Sequence, residues 1–294
     1  MMPTLAIDIG GTKIRAGLVV GGDVVASHAL PTEAAAGAQH VLERVVSTLR
    51  LFAGYDSIAV AAAGVIADGR VLSATDLLPG WAGTDIRGAL AAASGLPVAV
   101  LGDVHAHALG EATWGAGRDY ASSLTVAVGT GIGGAFVVDG QVLTGDHHLG
   151  GHFGHMSVGA AAGLACSCGR TGHIEPLASG SGVCAQYQAR TGQPIDGKTL
   201  DEHAEAGEET ARAIMRDSAF ALGELLASVA NFADPGVIIL SGSMTRSGPT
   251  WWEALRAGYA ASAMDLAAAT PVVVGELGDN APLLGAVAYG KEWQ

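Results

Sequence analysis

Cysteine is nearly absent from this chain. Three occur in 294 residues, two of them one residue apart, which excludes a disulfide framework. Basic residues are also scarce. Fifteen Lys and Arg face 28 Asp and Glu, for a net charge of −13. That balance opposes a nucleic-acid partner, whose phosphates need a basic face. It does not oppose one bound nucleotide, which needs only local donors. Long apolar runs are missing too. Mean hydropathy is +0.37, but Ala, Val and Gly carry it, and no run approaches the ~18 residues of a membrane span. No membrane partner is expected. The first residues hold no basic region and Asp8 interrupts the first apolar stretch. No secretory leader is therefore expected, and the cytoplasm is the expected compartment.

What is present is a pair of glycine-rich loops between strand-like runs. The first is Asp8-Ile9-Gly10-Gly11-Thr12-Lys13, and the second is Gly129-Thr130-Gly131-Ile132-Gly133-Gly134. Glycine lets backbone approach a bulky anion and frees amides to point at phosphate oxygens. Neither loop has Walker spacing, and neither is a GxGxxG opening a long helix. The run after each is β-branched, so each reads as a hairpin tip. Either loop alone is an ordinary Gly-rich hairpin. Two of them point to related lobes that hold one polyphosphate.

Strand-like and helix-like runs alternate, the mark of an α/β protein. Strands are expected at 5–9, 14–20, 24–30, 57–62, 98–101, 124–128, 135–138, 237–240 and 271–274, and helices near 39–52 and 208–232. In the second helix Ile214, Met215, Leu222, Leu225, Leu226 and Val229 recur at helical spacing, as a core stripe does. A lobe boundary is expected near 113–120, giving lobes 1–115 and 116–278, with a helix at about 279–294 returning to the first. Residues 144–182 are rich in Gly, His and Cys and read as a functional insertion.

Asp103 follows one strand and precedes a helical stretch. A carboxylate there stands where open sheets place their ligand crevice, and a helix N-terminus favours its ionised form. That suits a base in phosphoryl transfer; it is equally the place of an N-cap aspartate. His155, Cys166, Cys168 and His173 form H-x10-C-x-C-x4-H. These are zinc-compatible ligand types on a spacing unlike the common fingers, and buried thiols beside polar histidines would read the same way. The run 237–243 is a buried strand ending in small residues.

Together these segments resemble the ROK family (repressors, open reading frames and sugar kinases) of the actin-like ATPase, or ribonuclease H-like, superfamily. The carriers are Leu5 to Lys13, Leu78-Pro79-Gly80-Trp81, Gly102-Asp103 to Glu111, Gly129 to Gly134, Gly151-His152-Phe153-Gly154-His155-Met156 and Cys166-Ser167-Cys168-Gly169 to Glu175. The resemblance covers nearly the whole chain. It implies a two-lobed α/β fold with a ligand cleft between the lobes. It also implies an ATP- and Mg²⁺-dependent kinase for the 6-hydroxyl of a hexose or N-acetylhexosamine, a structural Zn²⁺ and a homodimer. Asp8, Gly10, Gly11, Thr12 and Lys13 would hold ATP phosphates, as would Thr130, Gly131, Gly133 and Gly134, with Gly242 by the adenosine. Asp103 matches the catalytic base. Gly64, His152, His155 and Glu175 match sugar-binding positions. His155, Cys166, Cys168 and His173 match the zinc ligands. The repressor branch carries a helix-turn-helix ahead of the first loop; here that loop begins at residue 8, so a kinase is expected.

The chain departs from the family pattern at Leu77 and Gly102, where Asn is usual, and at His105, another usual Asn. His152 replaces the usual Glu, and His173 replaces a zinc cysteine. Cys2His2 remains a sound zinc set. The G-H-x-G-H pattern resembles bacterial N-acetylmannosamine kinases, which ranks N-acetylmannosamine ahead of glucose. The altered sugar positions leave two alternatives: a kinase for an unusual hexose, or a catalytically silent sugar sensor. An acetate-kinase-like or chaperone-like ATPase is opposed by the zinc and sugar segments.

Overall fold

The computed structural model describes residues 2–74 and 78–291. In chain order its first elements are β1 (Thr4–Ile9), β2 (Lys13–Val20), β3 (Asp23–Pro31), α1 (Ala38–Ser47), β4 (Ser57–Ala62), β5 (Val65–Ala67), β6 (Arg70–Ser73), α2 (Ile86–Ser94), β7 (Val98–Gly102) and α3 (Asp103–Trp114). Then come β8 (Ser122–Val128), β9 (Ile132–Val138), β10 (Gln141–Val142), α4 (Glu175–Ala178), α5 (Gly180–Thr191) and α6 (Gly197–Glu205). The last are α7 (Glu209–Ala233), β11 (Val237–Ser241), α8 (Pro249–Ser262), β12 (Val272–Val274) and α9 (Ala281–Lys291). Two compact units result. One holds Met1–Ser122, Ala135–Gly151 and Gly275–Gln294; the other holds Ser123–Gly134 and His152–Val274.

The first unit is built on a sheet of order β3-β2-β1-β4-β7. β1, β4 and β7 are parallel, and Ile9, Ala62 and Gly102 stand level at their C-terminal ends. β4 is buried along its whole length, as a strand covered on both faces must be. Period two divides the side chains. Leu5, Ile7, Ile9, Ile58, Val60 and Ala62 pack with Val41 and Val45 of α1 and Ile86 and Leu90 of α2. Ala6, Ala59, Ala61 and Leu101 pack with Ala106 and Leu109 of α3 and Leu283 and Val287 of α9. Asp8 shares the parity of Ala6, so it ends the face that α3 and α9 cover.

Small residues let α3 and α9 cross almost backbone to backbone. A Cβ on Gly285 would run into the Ala106 carbonyl, and one on Gly110 into the Ala281 carbonyl. Helix propensity alone would make Gly285→Ala stabilising by about 1 kcal/mol. The crossing reverses the sign: the substitution is expected to lower the unfolding free energy by about 3 kcal/mol. A urea midpoint at or above that of the wild type would contradict the close crossing. Glu111, fully buried on α3, strengthens the same contact by accepting the amides of Ala116, Glu276 and Leu277 at 2.9–3.1 Å.

The second sheet has the order β10-β9-β8-β11-β12, and the chain passes from the second unit into the first within β9. β8, β11 and β12 are parallel, with Ser241 level with Ala127. In α7 the expected stripe is buried at Ile214, Met215, Leu222, Leu225 and Leu226. The Glu208 carboxylate caps that helix by accepting the Thr210 and Ala211 amides. The helix expected at 39–52 ends sooner, as α1 followed by a 3-10 turn at Thr48–Arg50. Helices α2, α5, α6 and α8 and the short strands β5, β6 and β10 add to the expected elements. Among the described residues no helix is long and apolar enough to cross a membrane.

Candidate active site

Level strand ends gather three chain segments at one edge of the first sheet. β1 and β2 pair through Ile9 and Ile14, and between them the Gly10 amide donates to the Lys13 carbonyl at 3.0 Å. The turn is pinned from outside by buried Thr32, whose hydroxyl donates to the Gly10 carbonyl at 2.7 Å and whose amide donates to that of Thr12 at 2.9 Å. Among the described residues the amides of Gly11 and Thr12 make no hydrogen bond to the protein. They are open donors at an exposed tip, the condition for an anion cradle. Lys13 pairs with Asp279 at 3.1 Å, while Arg15 donates to the Asp279 carbonyl and to Asn280 Oδ1. Gly64, after β4, has φ +108 and its Cβ position is closed by the Ser73 carbonyl. Leu77 lies outside the described residues.

β7 ends at the same level, and Asp103 is the first residue of α3. The cap position belongs to Gly102, whose φ is −61. Asp103 accepts the amide of its neighbour Val104 at 2.9 Å. It is therefore not an N-cap, because a cap accepts from the second or third helical amide. Burial pushes the Asp103 carboxyl up to about 6, against the opposing pull of that amide. Burial, with the Asp103 charge next in weight, pushes Asp8 up to about 7, while Lys13 and Arg15 draw it down. Oxygen ligands short of positive charge suit a hard cation such as Mg²⁺.

In the second unit the glycine loop is the turn between β8 and β9. The Gly129 amide donates to the Gly131 carbonyl, and the Gly129 and Thr130 carbonyls receive the amides of Gly180 and Ser181. The α5 N-terminus thus braces the turn from behind. Gly133 and Gly134 lie inside β9, past the turn. Glu175, which opens α4, has both oxygens engaged: Oε2 accepts the Ile132 amide at 3.0 Å and Oε1 accepts the Ser167 hydroxyl at 2.7 Å. A Cβ on Gly131 would stand 2.7 Å from Glu175 Oε2, so glycine there makes room for the carboxylate. Gly242, exposed after β11 with φ +88, lies against the Val128 backbone just before the same turn.

His155, Cys166, Cys168 and His173 come together. One ligand atom from each lies within 4.8 Å of all the others. Cys166 Sγ is 3.4 Å from His155 Nδ1, and Cys168 Sγ is 3.4 Å from His173 Nδ1. A turn shapes the thiols: the Cys166 amide donates to the Arg170 carbonyl, and the Gly169 amide to that of Cys166. Two sulfurs and two imidazole nitrogens this close could hold a metal ion, and their chemistry fits zinc. If His155 binds through Nδ1, its Nε2 is left to face outward. His152 stacks on that ring at 6.0 Å. Cys184 stands apart, half-buried on α5.

Within the first unit, then, Asp8, Gly10 to Lys13, Gly64 and Asp103 share one sheet edge. Within the second, Thr130, Gly131, Glu175, Gly242 and the four metal-ligand types are linked around one turn. Sequence reasoning missed Thr32, Glu111 and Gly150. Only Thr32, facing the first loop from the end of β3, left a signal in a hairpin's geometry.

The model of the ROK family matches residues 4–292. The N-acetylmannosamine kinase of Shigella boydii serotype 18 is 34% identical over 246 residues, 83% of this chain and 84% of that protein. The ROK hexokinase of Thermus thermophilus superposes with a TM-score of 0.89 at 30% identity, over 99% of both chains. The ROK family glucokinase of Streptomyces griseus, solved with glucose and AMPPNP, superposes with a TM-score of 0.83 at 26% identity, again over 99% of both.

Proposed function

The chain belongs to the ROK family, and from that premise we propose that it is an ATP-dependent sugar kinase acting on the 6-hydroxyl of a hexose or N-acetylhexosamine. The observation that carries this reading is the Asp103 carboxylate. It opens α3 just past Gly102, which stands level with Ile9 at the mouth of the first glycine turn, and burial raises its pKa to about 6. A base poised near the working pH accepts a proton as the hydroxyl oxygen bonds to phosphorus. Asp103 orients the sugar hydroxyl and takes its proton late in the transfer. The amides of Gly11, Thr12, Thr130 and Gly131, with Lys13, hold phosphate oxygens, and Asp8 would serve them through the Mg²⁺ that binds with ATP. Gly133 and Gly134 let β9 begin close behind that turn, and Gly242 lies at the adenosine.

Mg²⁺, bound with ATP, would neutralise charge on the phosphates. Zn²⁺ on His155, Cys166, Cys168 and His173 would be structural, fixing the ring orientation of His155 toward the sugar. Gly64, His152 and Glu175 complete the sugar contacts. The enzyme works as a homodimer in the cytoplasm.

N-acetylmannosamine is proposed ahead of glucose. The named relatives support both, and His152 tilts the proposal toward the first. Neutral imidazole can donate or accept, whereas an ionised carboxylate only accepts. Initial rates over N-acetylmannosamine, N-acetylglucosamine, glucose, mannose and fructose test the order. N-acetylmannosamine is expected to give the highest kcat/KM, by about tenfold or more over glucose. A preference for glucose would overturn the substrate assignment and leave the kinase intact. One observation favours a second reading, a silent sugar sensor: both Glu175 oxygens already serve the protein. Calorimetric sugar binding without ADP release would establish it.

A further inference from the structure

His105 is a buried polar residue in the first turn of α3. Its Nε2 lies 2.6 Å from the Gly150 carbonyl oxygen. A carbonyl only accepts, so Nε2 carries the hydrogen and donates. The other side of the ring lies against Gly102. A Cβ built on Gly102 would stand 3.2 Å from His105 Nδ1 and 3.5 Å from the Gly64 carbonyl. The backbone of Gly102, with φ −61 and ψ 144, is one that any residue adopts. A side chain there would press on the imidazole, which would have to give by a few tenths of an ångström.

The far end of the bond is equally constrained. The Gly150 amide donates to the Thr144 carbonyl at 2.7 Å, and the Leu143 amide to that of Phe136 at 2.9 Å. A Cβ on Gly150 would collide with the Leu143 carbonyl. Residues 145–149 therefore form a small loop closed at its neck, with Asp146, His147 and Leu149 exposed. Gly150 is the knot of that neck. One residue later, after Gly151, the chain passes from the first unit to His152 of the second.

We infer that His105 is a positioning residue for the sugar acceptor: it ties the start of the segment 150–155 to the helix that Asp103 opens, and Gly102 stays bare to admit its ring. This rests on the sugar-kinase reading, because the tethered segment carries His152 and His155. The bond lies within the first unit and holds its last residues before His152 to the helix that Asp103 opens. Its acceptor is a carbonyl fixed at a loop neck and outside both glycine turns, so its loss should misplace the segment before it disturbs phosphate binding. Two substitutions far apart in their chemistry should then act alike. Removing the ring frees Gly150; adding a Cβ at Gly102 pushes the ring by a few tenths of an ångström and strains the same bond.

The test uses the full-length protein, ATP and the sugar that the wild type phosphorylates best. His105→Ala is expected to raise the acceptor KM at least tenfold with the KM for ATP within twofold. Gly102→Ala should reproduce that split, and Gly102→Ala with His105→Ala should be no worse than either alone. His105→Gln, whose amide still donates to the carbonyl, should recover most of the acceptor KM. Backbone hydrogen exchange over 144–151 should quicken in His105→Ala and Gly102→Ala and stay slow in His105→Gln. An acceptor KM within twofold of wild type in folded His105→Ala overturns the inference, as does a parallel rise in the KM for ATP. Should His105→Ala fail to fold, Gly102→Ala decides, and unchanged acceptor KM and exchange in it overturn the inference. Exchange needs no turnover. A wild type that phosphorylates no sugar therefore sinks the kinase reading, while quickened exchange still upholds the tether.

Discussion

Asp103→Asn is expected to lower kcat about 10³-fold and to leave the KM for ATP within about twofold. The amide keeps the size and the hydrogen bond from Val104 but cannot take a proton. Phosphate binding rests on backbone amides at the glycine turns, which the substitution does not reach. The pH profile gives an independent sign. Burial raises the folded pKa of Asp103 to about 6, and only the ionised form acts as base. Activity is therefore full above that value and falls as pH drops through it, about tenfold per pH unit below. The kcat/KM profile reports the free enzyme, so its acid limb belongs near 6. In Asp103→Asn that limb should vanish. An undiminished kcat in the variant, or a wild-type limb near 4, would remove Asp103 from the role.

Cys168→Ser is expected to leave less than about half an equivalent of zinc per chain and to lower kcat/KM for the sugar at least about 100-fold. Cys168 is the exposed thiol of the cluster, so its loss disturbs little packing and the effect reads on the metal. Without the ion, His155 and the turn at Cys166 lose their common anchor. Glu175 then loses its partner Ser167, which that turn carries. The KM for ATP should change less than that for sugar. Cys184→Ser is the control: it is remote from the cluster and should keep both zinc and activity. Elemental analysis beside steady-state kinetics checks both variants. Full zinc in Cys168→Ser would refute ligation by that thiol.

Much of this was legible in the residue string, for identifiable reasons. β4 was bounded at 57–62 because its apolar run is short and continuous, and burial on both faces is what produces such a run. The metal-ligand types were legible because Cys-x-Cys is rare in a chain with three cysteines. Their convergence within 4.8 Å was not, since it depends on bridges such as Ser157 with His173. Helix α5 was hidden because Gly180-Ser181-Gly182 reads as loop, yet the Ser179 hydroxyl caps it by accepting the Gly182 amide. Helices α2 and α8 carry too much Ala for a clear stripe. Asp103 was visible as a carboxylate after a strand; its bond from the adjacent Val104 amide, with Gly102 in the cap position, was needed to exclude the cap. Glu111 looked like a surface residue of a helix, and only the fold shows it buried among amides. The family resemblance implies that Lys13 meets phosphate, and the structure pairs it with Asp279, 266 residues away, which no local pattern announces.

The most direct measurement is ADP release from ATP and Mg²⁺ by the purified protein, with and without N-acetylmannosamine, in the wild type and in Asp103→Asn. The account predicts turnover that requires the sugar, yields the 6-phosphate and collapses in the variant. Sugar-independent hydrolysis of ATP, or sugar phosphorylation that survives in Asp103→Asn, would contradict it.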